Sequence, residues 1–190
     1  MYRVLFITLC FSLIGQVQAQ RYLPGQKGLQ VTVGAVDGFN LKKGDKQAFC
    51  FGVAHSTYTK GGNRWVLGAE YLEKKHLYRD ILIPVSQITG EGGYYKQFLS
   101  DPSKTVFLSV GASAVAGYET VNWGKELLFD GATIESKDNA IYGGAITFEM
   151  ETFLTDRLVL LANVRERILF GSSINKFHIQ INVGVKFIIN

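Results

Sequence analysis

Cysteine is almost missing from this chain. Of its 190 residues only Cys10 and Cys50 are cysteine, and Cys10 lies in an N-terminal apolar stretch with the character of a leader. The mature chain therefore holds a lone thiol, which excludes an intramolecular disulfide and any multi-cysteine metal site. Histidine is as scarce: His55, His76 and His178 form no H-x-x-x-H pair, and no G-x-S-x-G elbow is present. Charged residues make up only 19% of the chain, low for a water-soluble domain. The net charge of +4 is scattered without a stripe or cluster, so no direct nucleic-acid binding is expected. Past the leader no run reaches the 18 or so apolar residues of a membrane-spanning helix, and no stretch keeps a 3.6-residue period for long. With 47% hydrophobic residues the chain is nonetheless too apolar to be disordered.

The leader is "MYRVLFITLCFSLIGQVQAQ". Basic Arg3, an apolar run over 4–14 and small-residue spacing at Val17 and Ala19 describe a signal peptide of residues 1–19, cleaved to leave Gln20 first. Its loss removes one arginine and no acid, lowering the net charge from +4 to +3. The expected organisation is this signal peptide, a short periplasmic segment over 20–27, and one domain over 28–190.

What recurs in that domain is period two. "DPSKTVFLSVGASAVAGYETVNW" places Val106, Leu108, Val110, Ala112, Ala114, Ala116 and Tyr118 on one face of a strand. Phe107, Ser109, Gly111, Ser113, Val115, Gly117 and Glu119 share the other. About eight such segments occur, near 28–37, 47–58, 63–73, 85–100, 104–119, 139–154, 157–170 and 176–189, most of them longer than a soluble strand. Tight turns at "TKGGN", "SDPSK" and "TDR" alternate with longer links at 38–46, around 74–84, at 120–139 and at "GSSIN". Short and long connections in alternation mark the two mouths of an up-and-down barrel.

Alternation alone leaves open which face points out. Three features favour an apolar exterior. The polar faces carry both signs at mid-strand, at Glu70, Glu91, Glu149, Glu151, Arg165, Arg167 and Lys186, beside glycines such as Gly52, Gly68, Gly93, Gly111 and Gly184. Small residues next to long charged ones suit a narrow lumen filled by side chains. The apolar faces carry aromatics towards strand ends, among them Trp65, Tyr94, Tyr118, Tyr142, Phe177 and Phe187, where interfacial girdles sit. With no disulfide and no helix to cover the sheet, a bilayer supplies the missing apolar layer. The fold class expected is all-β, an eight-stranded antiparallel up-and-down transmembrane β-barrel of the outer-membrane type.

The stretches "QRYLPGQKGLQVT", "GNRWVLGAEYLEK", "GYYKQFLSDPSKTVFLSVGASAVAGYETVNW", "LFDGATI", "VRERILFGSS" and "KFIIN" resemble, in order and spacing, the TraO family of conjugative-transposon proteins. The resemblance implies an envelope component of conjugal DNA transfer between Gram-negative cells, with other conjugal transfer proteins as partners; the barrel pattern adds the outer membrane and its lipids. It supplies no catalytic motif.

The residues themselves carry three candidate chemistries. Glu149 and Glu151 point the same way, about 6 to 7 Å apart along a strand, a spacing near that of paired carboxylates in glycoside hydrolysis. Arg165 and Arg167 repeat the arrangement across the "TDR" turn, so an acid–base ladder between the two pairs is the favoured reading, because isolated buried charges are costly. Lys42, Lys43 and Lys46 offer first-loop ammonium groups to lipopolysaccharide phosphates or a partner, and Trp123, Leu127, Leu128 and Phe129 give the largest loop an apolar surface for a partner. Cys50 is expected in the lumen with Gly52 and Ala54, and His76 in a solvated loop. No cofactor, metal or small-molecule substrate is expected. A non-enzymatic outer-membrane component is the leading reading; a soluble periplasmic barrel holding a small apolar ligand, or a small barrel enzyme acting on lipids, are the alternatives.

Overall fold

The period-two segments are strands, and they close on themselves. A computed structural model describes residues 22–36, 48–78, 81–125, 131–133, 138–172 and 176–189. Its strands are β1 (Lys27–Val36), β2 (Ala48–Tyr58), β3 (Arg64–Tyr78), β4 (Ile81–Ser100), β5 (Val106–Val121), β6 (Asn139–Phe153), β7 (Leu158–Phe170) and β8 (Phe177–Ile189). Each pairs antiparallel with the next, and β8 pairs with β1, so the sheet is a closed barrel with no free edge along its body. Residues 1–21, which include the leader, lie outside the described residues, as do Lys42, Lys43, Lys46, Leu127, Leu128 and Phe129.

Closure fixes which face is which. Phe107, Ser109, Gly111, Val115 and Glu119 of β5 are buried in the lumen, while Ala112, Ala114, Ala116 and Tyr118 point out. The same holds round the wall, where Leu67 is 70% exposed and Tyr142 is 63% exposed. A wall this apolar suits lipid, and the polar faces have turned inward to meet one another. Aromatic pairs stand near both rims, Trp65 against Tyr94 at 4.9 Å and Tyr142 against Phe170 at 5.9 Å between ring centroids. These belts are the placement expected of side chains with an apolar body at a membrane interface.

The register also sets the tilt. Following partners from Lys27 through Thr57, Trp65, Tyr94, Ala112, Ile146, Glu166 and Ile179 arrives one position beyond Val36, because Val36 itself pairs with Gln180. The circuit thus advances about ten residues along β1, and such a stagger over eight strands tilts them by about 40°. Side chains far apart in sequence are thereby brought to one depth in the lumen.

Two expectations need correction. The stretch 74–84 is not a loop: β3 continues to Tyr78 and β4 begins at Ile81, with His76 opposite Ile83 and Tyr78 opposite Ile81. Among the described residues, pairing of β2 to β3 reaches Lys74 and pairing of β4 to β5 starts at Val85, so the β3–β4 hairpin runs past the described neighbours as a two-stranded ribbon. The charges of "EKKH" and the ring of Pro84 hide its alternation in the sequence. His76 accordingly sits in β3, and His55 lies in β2 with its side chain exposed on the outer wall.

The short turns have their own chemistry. At the β4–β5 turn the Asp101 carboxylate accepts from the backbone N–H groups of Thr105 and Val106, both at 2.7 Å, and from the Ser103 hydroxyl, while Lys104 takes φ of 54°. The Ser103 hydrogen bond, then those from the backbone, hold the Asp101 carboxyl below its ordinary range. At the opposite end Asp138 ties the base of the long β5–β6 link, accepting from the Tyr118 hydroxyl at 2.8 Å and from the Val121 N–H at 3.3 Å.

Candidate functional site

The lumen holds the chemistry. Eight of its charged side chains fall into two quartets, each with two acids and two bases, while Glu119 accepts from Gln87 Nε2 and the Ser172 hydroxyl, both at 2.7 Å. In the quartet nearer the short turns, Arg64 at the start of β3 reaches across to β6, its Nη2 2.5 Å from Glu149 and its Nη1 3.2 Å from Glu151. Lys186 of β8 pairs with Glu151 and stands 3.8 Å from Glu149. Asn163 Nδ2 donates to Glu149 at 3.4 Å and the Tyr58 hydroxyl to Glu151 at 3.3 Å. The guanidinium of Arg64 also lies 5.0 Å from the ring centre of Tyr95 and 5.8 Å from that of Tyr58, within cation–π range.

The second quartet joins β3 and β4 to β7. Glu70 receives Arg165 Nη1 at 3.2 Å, Arg167 Nη1 at 2.5 Å and Gln180 Nε2 at 2.8 Å. Arg165 Nη2 also donates to Glu91 at 2.8 Å and to the Tyr95 hydroxyl at 3.2 Å. Tyr95 therefore touches both quartets, with its ring under Arg64 and its hydroxyl on Arg165. Its ring needs the glycine opposite it: a Cβ on Gly111 would stand 2.6 Å from the Tyr95 ring carbons.

Glu70, Glu91, Glu149, Glu151, Arg165, Arg167 and Lys186 stand on the lumen side of their strands, but their pairs do not follow the turn between β6 and β7. Glu149 lies opposite Asn163, Glu151 opposite Leu161, Arg165 opposite Thr147 and Arg167 opposite Ala145. The acid–base ladder between β6 and β7 is therefore absent, and the charges pair across the barrel interior. The missing partner was Arg64, buried, whose period-two position on the face of Glu70 was the available signal. Cys50 is buried in the lumen, as expected, with its Sγ 3.0 Å from Asn182 Oδ1.

Tyr22 closes the turn-side mouth. It precedes β1 yet is buried, stacked on Tyr58 at 4.0 Å between centroids and packed with Phe107, Phe153, Val159, Leu161 and Ile188. Its hydroxyl donates to Glu151 at 2.8 Å. Burial, reinforced by the Glu151 charge, raises the phenol above its ordinary value, so it stays protonated and keeps donating. Towards the loop end Val36, Ala48, Cys50 and Leu72 form one apolar cluster, and Val115, Ile141, Ala145 and Leu169 another. Between these layers the lumen leaves a cavity of about 10 Å³ beside Gln30, Glu70, Glu91 and Arg165, no more than one water could fill. Glu149 and Glu151 are buried and ion-paired. Among the described residues no group of histidine, cysteine and carboxylate side chains could hold a metal ion. Of the partner-loop residues only Trp123 is described; it is 59% exposed just past β5, with φ of 53°.

The chain belongs to the TraO family: the model of conjugative transposon protein TraO matches residues 23–189. No curated protein matches it. Among solved structures it is similar to Neisserial surface protein A, with a TM-score of 0.56 at 13% identity over 86% of this chain and 96% of that one. It is also similar to Ail of Yersinia pestis, crystallised with the heparin analogue sucrose octasulfate, with a TM-score of 0.53 at 12% identity over 88% of this chain and 100% of that one. A third is the N-terminal β-barrel domain of Pseudomonas aeruginosa OprF, with a TM-score of 0.50 at 11% identity over 87% and 99%. At these identities the likeness is one of fold, the outer-membrane β-barrel.

Proposed function

We propose that this TraO-family chain is a non-enzymatic component of a conjugal DNA-transfer apparatus, exported by cleavage of residues 1–19 and embedded in the outer membrane as a structural or interaction element. One observation carries the reading: an apolar wall encloses a lumen in which two quartets of charges are paired and the described cavity beside Glu70 and Arg165 is about 10 Å³. Such a barrel is a plug, so neither DNA nor a filament passes through it. Its useful surfaces are the wall, the loops, the β3–β4 ribbon and the segment ahead of β1. The outward apolar face argues against a soluble carrier, whose ligand would need an apolar cavity inside. The locking of Glu149 and Glu151 into ion pairs argues against a lipid-acting hydrolase built on them.

The test is twofold. Deleting the gene from a transfer-competent donor should abolish conjugation and leave envelope lipids unchanged, and the protein should stay in the membrane pellet after a carbonate wash. Release by carbonate, or undiminished transfer, would overturn the reading.

A further inference from the structure

The outer wall carries a carboxylate that none of the described residues answers. Outward positions along β7 run Leu160, Ala162, Val164, Glu166, Ile168 and Phe170, so Glu166 interrupts an apolar row. Its register neighbours are Ile146 of β6 and Ile179 of β8, also outward and apolar. Glu73, the other outward carboxylate among the described residues, has the Tyr71 hydroxyl at 2.7 Å and Lys75 at 3.5 Å. Glu166 has no hydrogen-bond or ion-pair partner among the described residues. It stands four residues short of Phe170, about 10 Å in height at this tilt, below the aromatic belt of Tyr142, Phe170 and Phe177. An ionisable group at such a depth, facing away from its own protein, is a site in search of a counter-charge.

The wall beside it is concave. A groove of about 370 Å³ lies between Phe98, Phe148, Met150, Ala162, Val164 and Ile181. Ala162 makes its floor, because the neighbouring strands place the larger Met150 and Val183 on either side. Val164 leads from this floor directly to Glu166.

We infer that the groove, with Glu166 at its head, is the docking surface for a membrane-embedded segment of another protein that carries one lysine or arginine at the depth of Glu166. The apolar lining takes the segment's aliphatic side chains, and the carboxylate selects the base. An acyl chain alone fills the groove but leaves the charge unanswered, and an anionic headgroup is repelled. A second copy is a poor match: its outward Lys27 and Lys96 lie at the turn end of β1 and β4, whereas Glu166 is in the loop half of β7; Lys75 stands on the β3–β4 ribbon, and exposed Lys176 precedes Phe177 at the aromatic belt, above the depth of Glu166. The inference rests on the membrane-component reading above and specifies its partner by chemistry.

The experiment uses the mature full-length chain in phosphatidylcholine vesicles with two synthetic membrane-spanning Leu/Ala peptides. One has a single lysine near one end, the other methionine there, and binding is read by energy transfer from Trp65 and Trp123 to a dansyl group on the peptide. The lysine peptide should bind about five- to tenfold more tightly. Glu166→Gln should erase that preference, and Ala162→Phe, which fills the groove, should weaken both peptides. Equal binding of the two peptides, or a lysine preference that survives Glu166→Gln, overturns the inference. So does retention of an amine-headed lipid by the wild type and not by Glu166→Gln without any peptide preference, which would assign the groove to lipid. Transfer lost on gene deletion without a lysine preference would sink this inference alone; a lysine preference with transfer undiminished would sink the transfer role and leave the groove.

Discussion

Replacing Arg64 by methionine separates the observed lumen from the one that strand proximity suggests. Methionine keeps much of the apolar stem and removes the charge, so the turn-side quartet passes from two acids and two bases to two acids and one base. Lys186 stays on Glu151 but is 3.8 Å from Glu149, which loses its 2.5 Å guanidinium contact and retains only Asn163 at 3.4 Å as a close donor. Removing one partner of a buried pair costs about 3 to 5 kcal/mol, and the remaining lysine places Arg64→Met near the lower end, about 3 kcal/mol. Adding Glu149→Gln restores the balance of charge and should recover about 1 kcal/mol or more, a coupling of the size seen between contacting residues. Glu149→Gln combined with Arg165→Met should instead be close to additive, because the Arg165 guanidinium binds Glu70 and Glu91. Urea unfolding in lipid vesicles, followed by the fluorescence of Trp65 and Trp123, measures all five variants. Coupling of Glu149 to Arg165 and not to Arg64, or a loss under about 1 kcal/mol for Arg64→Met, would refute the assignment.

Tyr22→Phe keeps the stack on Tyr58 but removes the hydrogen bond to Glu151, an expected loss of about 1.5 to 3 kcal/mol, whereas Tyr22→Ala also opens the aromatic cluster and should lose about 3 to 5 kcal/mol in the same unfolding assay. Gly111→Ala drives a methyl into the Tyr95 ring and should destabilise by about 1 to 3 kcal/mol, with most of that loss absent when Tyr95 is already leucine. Asp101 has a folded pKa below its unfolded value of about 3.9, so its contribution is present above that value and is lost as the pH falls through the lower folded one. Amide exchange at Thr105 and Val106, corrected for its intrinsic pH dependence, should therefore lose protection only in that acid window, and Asp101→Asn should remove the transition.

Much of this protein is legible in its sequence because β-structure writes itself in period two. The strand of Val106 to Tyr118 alternates without a break, and a lipid-facing wall requires that it do so, since each slip of one residue would put Glu119 or Ser109 into the bilayer. Eight such segments, their alternating short and long links and the scarcity of cysteine favour a closed barrel in a membrane over a soluble one. The ends of β3 and β4 were hidden because the ribbon over 74–84 runs past the described neighbouring strands, where no lipid enforces an apolar face and charges and proline are tolerated. The pairing of the charges was hidden for a different reason. Alternation says that Glu70, Glu149, Arg165 and Lys186 lie on the polar faces, but which of them meet depends on the tilt of about 40° and on the narrow width of the lumen, properties of all eight strands together. The same closure carries Arg64 to β6 and Tyr22 into the mouth, leaves Tyr95 between the two quartets, and sets Glu166 alone on a wall where its sequence neighbours Arg165 and Arg167 face the other way. Sequence sorted the side chains into two faces, because alternation is local; only the closed barrel decided which face is inside and which partners meet, because contact across a lumen is not local.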